Sequence, residues 1–168
     1  MSKGQRQREY EEDCGVTFGK VPLTALAKIT RVVDGTEKGI GRVAAETYDR
    51  AAGLAGMGFT AIKLGWGPLG RSRDRDIAPV CEGRRGAGAD VDLMIDAGQP
   101  WDWRTALQRA RDFAEFNPYW IEEPLHHEDL DGYARLTAAS PVEIAGGERE
   151  ATYAGFERYI VEDGVDWV

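Results

Sequence analysis

This sequence is poor in sulfur and imidazole: its 168 residues hold two cysteines and two histidines. Cys14 and Cys81 lie far apart and form no CxxC pair. That excludes a disulfide framework and makes a reducing cytoplasm the expected compartment. Long apolar runs are missing as well, so no segment reads as a membrane span. The opening stretch MSKGQRQREYEEDC lacks the apolar core of a secretory signal. Positive charge is in deficit, with 21 Lys and Arg against 29 Asp and Glu, for a net charge of −8. An acidic chain repels polyanions, so neither nucleic acid nor an anionic membrane is an expected partner.

What remains is globular material, 42% apolar and 30% charged, enough to build a sizeable core. Residues 1–35 read as a poorly ordered leader, holding at most a first strand between 16 and 33. Residues 36–168 carry a steady rhythm and read as one domain. Helices are expected over 37–57, 74–85, 102–116, 128–139 and 152–162. Thr36 is a candidate N-cap for the first, and Gly58 its stop. Short strands are expected over 60–64, 91–95, 119–121 and 142–145, with another opening at 165. Asn117-Pro118 breaks the third helix. Alternating strands and helices predict an α/β fold with a parallel sheet, its strands apolar on both faces beneath covering helices.

The acids carry the chemistry. Asp96 ends VDLMI, Glu122 ends YWI and Glu148 closes VEIAGGE. The spacings are equal, 122 − 96 = 26 and 148 − 122 = 26, which predicts the same place in successive strand–helix units. In a parallel barrel those places converge on the mouth at the C-terminal strand ends. Three carboxylates held together raise one another's pKa unless a cation neutralises them. Oxygen ligands of this hardness favour Mg²⁺ over zinc. A single acid at a strand end reads better as a helix N-cap or first-turn dipole partner; three at equal spacing, each after an apolar strand, do not. Lys63 lies inside the apolar run TAIKL. An amine there is costly unless it reaches the same mouth, where it can neutralise a substrate carboxylate or act as a base. The plainer reading is a lysine that snorkels at an edge.

The runs AIKLGWGPLG, DLMIDAG, YWIEEP and IAGGE, in that order and spacing, resemble the mandelate racemase and muconate lactonizing enzyme-like branch of the enolase superfamily. The resemblance runs from about Gly58 to the last residue. It implies a (β/α)7β TIM-type barrel behind an α+β capping domain. It implies one Mg²⁺ held by the acids matching Asp96, Glu122 and Glu148, with Lys63 catalytic and Glu123 in support. A lysine paired with Mg²⁺ around an enediolate is an established pattern of that superfamily. The implied reaction removes a proton α to the carboxylate of a sugar acid or related hydroxy acid. The implied parent is a cytoplasmic homo-oligomer.

Two departures shape the expectation. Family members often carry Lys-x-Lys on the second strand, whereas here Lys63-Leu64-Gly65 stands. One lysine suits a dehydratase better than a two-base racemase or epimerase. The family's His–Asp base comes from the sixth and seventh strands, and Asp166 falls too early to match that aspartate. A full barrel needs roughly 250 residues. The chain is therefore expected to be a partial barrel truncated at about the sixth strand, with most of the capping domain absent and no turnover alone.

Other features have rival readings. Gly65-Trp66-Gly67-Pro68-Leu69-Gly70 spells GxGxxG, the signature of a dinucleotide-binding fold. Pro68 and the polar run after Gly70 argue instead for a loop over the barrel mouth, with Trp66 available to line the pocket. His126 and His127 follow the Glu122 strand; adjacent histidines seldom point the same way, and His126 is the candidate for substrate contact. Trp101, Trp103 and Trp120 read as packing residues. A non-catalytic half-barrel serving as an interaction subunit is a further alternative, one that needs a partner over its open sheet edges.

Overall fold

A computed structural model describes residues 25–27, 37–65, 69–161 and 164–168. Strand β1 (Ala25–Ala27) precedes helix α1 (Glu37–Gly56), then β2 (Ala61–Gly65), α2 (Arg73–Ala87) and β3 (Asp92–Asp96). Helix α3 (Trp103–Phe113) runs into a 3-10 turn (Ala114–Phe116), followed by β4 (Trp120–Glu122), α4 (Leu130–Ala139), β5 (Glu143–Ala145) and α5 (Tyr153–Val161). All neighbouring strands pair in parallel, in the sequential order β1-β2-β3-β4-β5. Parallel strands joined by right-handed crossovers in chain order place every helix on the same side. Beyond β5, a parallel bridge joins Ala145 to Trp167. The leader over 1–14 and the Thr36 cap lie outside the described residues, as does Trp66.

Side-chain alternation explains the two faces of the sheet. Ile62, Leu64, Leu93, Ile95, Ile121 and Ile144 point to one face and form the core with Val80, Ala110, Phe113, Tyr133 and Leu136 from the helices. The other face is not apolar as expected. Register sets Lys63, Met94, Trp120 and Glu143 in one row and Gly65, Asp96, Glu122 and Ala145 in the next. The covered face satisfies the apolar demand of the core, which leaves the other free to carry charge toward the strand ends.

Capping side chains fix the helix starts. Asp102 accepts from Arg104 N and Thr105 N at 2.9 Å, and Asp129 from Gly132 N at 3.0 Å. Each is an N-cap standing outside its helix, so α3 and α4 begin one or two residues later than periodicity alone suggests. Asn117, at φ 49°, ends the 3-10 turn in the left-handed region. Among the described residues no helix is long and apolar enough to cross a membrane.

The dinucleotide alternative does not survive. That fold reverses strand order at its binding crevice, whereas the described strands run in sequential order without reversal. Helix α2 begins at Arg73 rather than at the glycine turn. Gly70 has a different reason to be glycine: it stands at φ +89°, and a Cβ there would lie 2.4 Å from that of Pro100.

Candidate metal and carboxylate site

Asp96 and Glu122 are the last residues of β3 and β4 and are register partners. Their side chains leave the same face at adjacent strand ends. Glu148 arrives differently. The register partner of Glu122 is Ala145, so the β4–β5 repeat is 145 − 122 = 23 residues, against 122 − 96 = 26 for the one before. The three-residue 3-10 turn after α3 has no counterpart after α4, which accounts for the difference. Equal spacing in sequence therefore does not mean equal register. Glu148 stands in the loop three residues past β5, delivered by Gly146 and by Gly147 at φ 114°.

Lys63 sits one row below the two strand-end acids, and its long side chain spans the gap. Nζ donates to both oxygens of Glu122, at 2.8 and 2.7 Å, and lies 3.9 Å from Asp96 Oδ2. Its side chain is only 16% exposed, so it points inward rather than snorkelling. Lys63, Glu122 and Glu148 line one open cleft of about 540 Å³, walled by Trp120, Phe156 and Trp167. Asp96 is buried beside the cleft at 5% exposure. Burial first, and then the Glu122 charge, push its carboxyl up to about 6, with Glu148 adding and Lys63 opposing.

Among the described residues no three ligating side chains converge closely enough to hold a metal ion. The donor chemistry nonetheless fits a hard cation. Asp96 and Glu122 face one another, Glu148 acts on Asp96 through its charge, and the carboxylates repel. Lys63 supplies compensation within the cluster.

A stability prediction follows from Asp96. Its pKa is higher folded than unfolded, so the folded state binds the extra proton. The stability it contributes is full below about 4 and is lost as pH rises through about 6. The change corresponds to roughly 2–3 kcal/mol. Urea denaturation at pH 4.5 and 7.5 should show this decline in the parent and a flatter profile in Asp96→Asn. Equal slopes in the two proteins would refute the assignment.

Glu123 is buried at 1% exposure and stands at φ 45°. Its Oε2 accepts from Gln99 Nε2 at 2.8 Å and Arg149 Nε at 3.3 Å. Nothing in the sequence marks Gln99 or Arg149 as functional beyond their proximity to Asp96 and Glu148.

Two buried tyrosines tie down the loop after Glu123: Tyr133 OH donates to Leu125 O at 2.9 Å and Tyr159 OH to His127 O at 2.7 Å. His126, on that loop, is not brought into the cleft. Its side chain is 60% exposed and lies 3.8 Å from Glu128, stacked on His127 at 4.4 Å. Trp101 is buried in the core, and Trp103 lies under Arg104 and Arg135. Asp166 accepts from Ile144 N at 2.7 Å, a backbone-pinning role.

Residues 46–168 match the family model described as enolase C-terminal domain-like. The chain is 39% identical over 93 residues to L-talarate/galactarate dehydratase of Salmonella typhimurium, covering 55% of this chain and 23% of that protein. It is 32% identical over 126 residues to D-gluconate dehydratase of Thermoproteus tenax, covering 70% of this chain and 25% of that one. Among solved structures, a mutant of L-talarate/galactarate dehydratase liganded with Mg and L-glucarate superposes with a TM-score of 0.66 at 32% identity, over 73% of this chain and 31% of that chain. The match thus spans between 23% and 31% of the length of these proteins.

Proposed function

The chain belongs to the enolase C-terminal domain-like family, and from that premise we propose that it forms the cation- and carboxylate-binding part of an enzyme that removes a proton α to a carboxylate. Its five strands are then consecutive staves of a (β/α)7β barrel wall, with the Ala145–Trp167 bridge opening the sixth. The observation that carries the reading is one cluster at the parallel strand ends: Lys63 Nζ against Glu122 and Asp96, with Glu148 on the same cleft.

Asp96, Glu122 and Glu148 would hold one Mg²⁺, which supplies Lewis-acid stabilisation to developing negative charge when bound. Removal of an α-proton turns a carboxylate into a dianionic enediolate, and that charge must be met as it forms. Lys63 would neutralise the substrate carboxylate or relay a proton. Trp120 and Trp167 wall the cleft and offer apolar surface beside the carboxylates. Two of the matched relatives are sugar-acid dehydratases by name, and β2 carries a single lysine, with Gly65 where a two-base site would hold a second. A sugar-acid dehydratase is therefore the preferred reading over a racemase. Such a reaction takes the α-proton, expels the β-hydroxyl as water, and leaves an enol that becomes a 2-keto-3-deoxy acid.

The test is a Mn²⁺ titration of the chain followed by EPR, then calorimetry with galactarate, D-gluconate and L-glucarate with and without Mg²⁺. Saturable cation binding at one site, and acid binding only in its presence, is the expected result. A chain that binds neither cation nor acid would defeat the proposal. In that event the interaction-subunit reading takes its place.

A further inference from the structure

We propose that Glu123 is a positioning residue that clamps together the segments that follow Asp96 and Glu122 and the loop that carries Glu148, and so sets the affinity of the cluster for a divalent cation. The inference rests on the cation-site reading above. Glu123 follows Glu122 directly, Gln99 lies three residues past Asp96, and Arg149 follows Glu148. One oxygen, Glu123 Oε2, receives both Gln99 Nε2 and Arg149 Nε. A single side chain thus reaches the loop of each of the other two acids. Backbone bonds reinforce the arrangement: Gln99 N donates to Glu123 O at 2.6 Å, Ala97 N to Glu122 O at 2.8 Å and Glu123 N to Ala145 O at 2.9 Å.

Three costs meet at this residue. Glu123 at φ 45° and Gln99 at φ 66° both occupy the left-handed region without being glycine. Such backbone persists only where surrounding contacts over-determine it. The carboxylate is almost wholly buried. Its second oxygen, Oε1, is buried with no hydrogen-bond partner among the described residues, although buried polar atoms are nearly always satisfied. A residue kept for stability alone is poorly served by all three. A residue kept to hold two strand ends and the Glu148 loop in one geometry accounts for them, because partners of metal ligands govern affinity through orientation.

Mn²⁺ titration by EPR, with far-UV circular dichroism and thermal melting alongside, tests this on the full chain. Glu123→Ala should stay folded and bind Mn²⁺ about 10–100-fold more weakly. Glu123→Gln, whose amide oxygen still accepts from Gln99 or Arg149, should recover part of the loss. If Glu123→Ala does not fold, Gln99→Ala and Arg149→Ala decide, since each removes one arm from outside the buried residue. Folded variants with lower melting temperatures but parental Mn²⁺ affinity would overturn the proposal. A parent that binds no Mn²⁺ overturns the cation-site reading itself, so the two failures are distinct.

Discussion

Asp76→Ala is expected to cost the fold about 3–5 kcal/mol, the loss that follows when one partner of a buried ion pair is removed. Asp76 is fully buried on α2, and its Oδ2 accepts from Arg109 Nε of α3 at 2.7 Å. Arg109 is itself 7% exposed, and its remaining acidic contact, Asp112, lies at 3.3 Å. The substitution leaves a guanidinium buried with half its compensation. It also orphans Gly70 N, which donates to Asp76 Oδ1 at 2.7 Å and anchors the end of the β2–α2 loop against Pro100. Against a typical stability of about 5–15 kcal/mol, that is a large fraction. Asp76→Asn keeps an acceptor for Gly70 and should lose less. Arg73→Ala, on the solvent side of the same network, should leave the midpoint unchanged, because Arg73 is exposed and screened. Urea denaturation followed by tryptophan fluorescence reads all three. A loss below about 1 kcal/mol for Asp76→Ala would mean that Asp112 alone satisfies Arg109.

That network had no trace in the sequence, whereas the strand-end acids did. The difference is physical. Asp96 and Glu122 follow short apolar runs, and an apolar run ending in an acid is a local pattern that reports the end of a buried parallel strand. Asp76 and Arg109 are separated by a helix boundary, a strand and a loop, and on their own helices they read as ordinary surface charges. Lys63 was legible for the same reason as the acids, since a lone amine in TAIKL demands a polar destination. Glu148 was legible in kind but not in place, because the turn after α3 lengthens one repeat and not the next. The inner sheet face is less apolar than the strand sequences suggest. A strand covered on one side needs only alternate apolar residues, and Lys63, Trp120, Glu122 and Glu143 take the other positions. Gln99 and Arg149 became visible only once the loops were folded together. A backbone at positive φ is not signalled by a glutamine or a glutamate.

Lys63→Met should separate the two roles assigned to that lysine. Its ammonium is the cation held between Glu122 and Asp96. Without it, two carboxylates at paired strand ends face each other uncompensated. The expected loss at pH 7.5 in chelator is about 2 kcal/mol, the scale of hydrogen bonds to charged groups. The sign with pH is fixed by Asp96. Lys63 now lowers a carboxyl that burial and Glu122 raise to about 6, so its removal lifts that carboxyl further. The variant's deficit should then be small below pH 4, where Asp96 is protonated folded or unfolded, and full above the new value. Divalent cation should act oppositely to chelator. A ligand at 100 times its Kd adds about 2.7 kcal/mol, enough to offset the deficit. Because the amine no longer competes for Glu122, Mg²⁺ should bind Lys63→Met at least as tightly as the parent. Binding of a sugar acid should nevertheless fall, since its carboxylate has lost the neutralising charge. Undiminished cation binding with weaker acid binding is a split that general destabilisation cannot produce. Parallel losses of both would assign Lys63 to the scaffold, and unchanged binding of both would return it to the status of a buried lysine with a convenient partner.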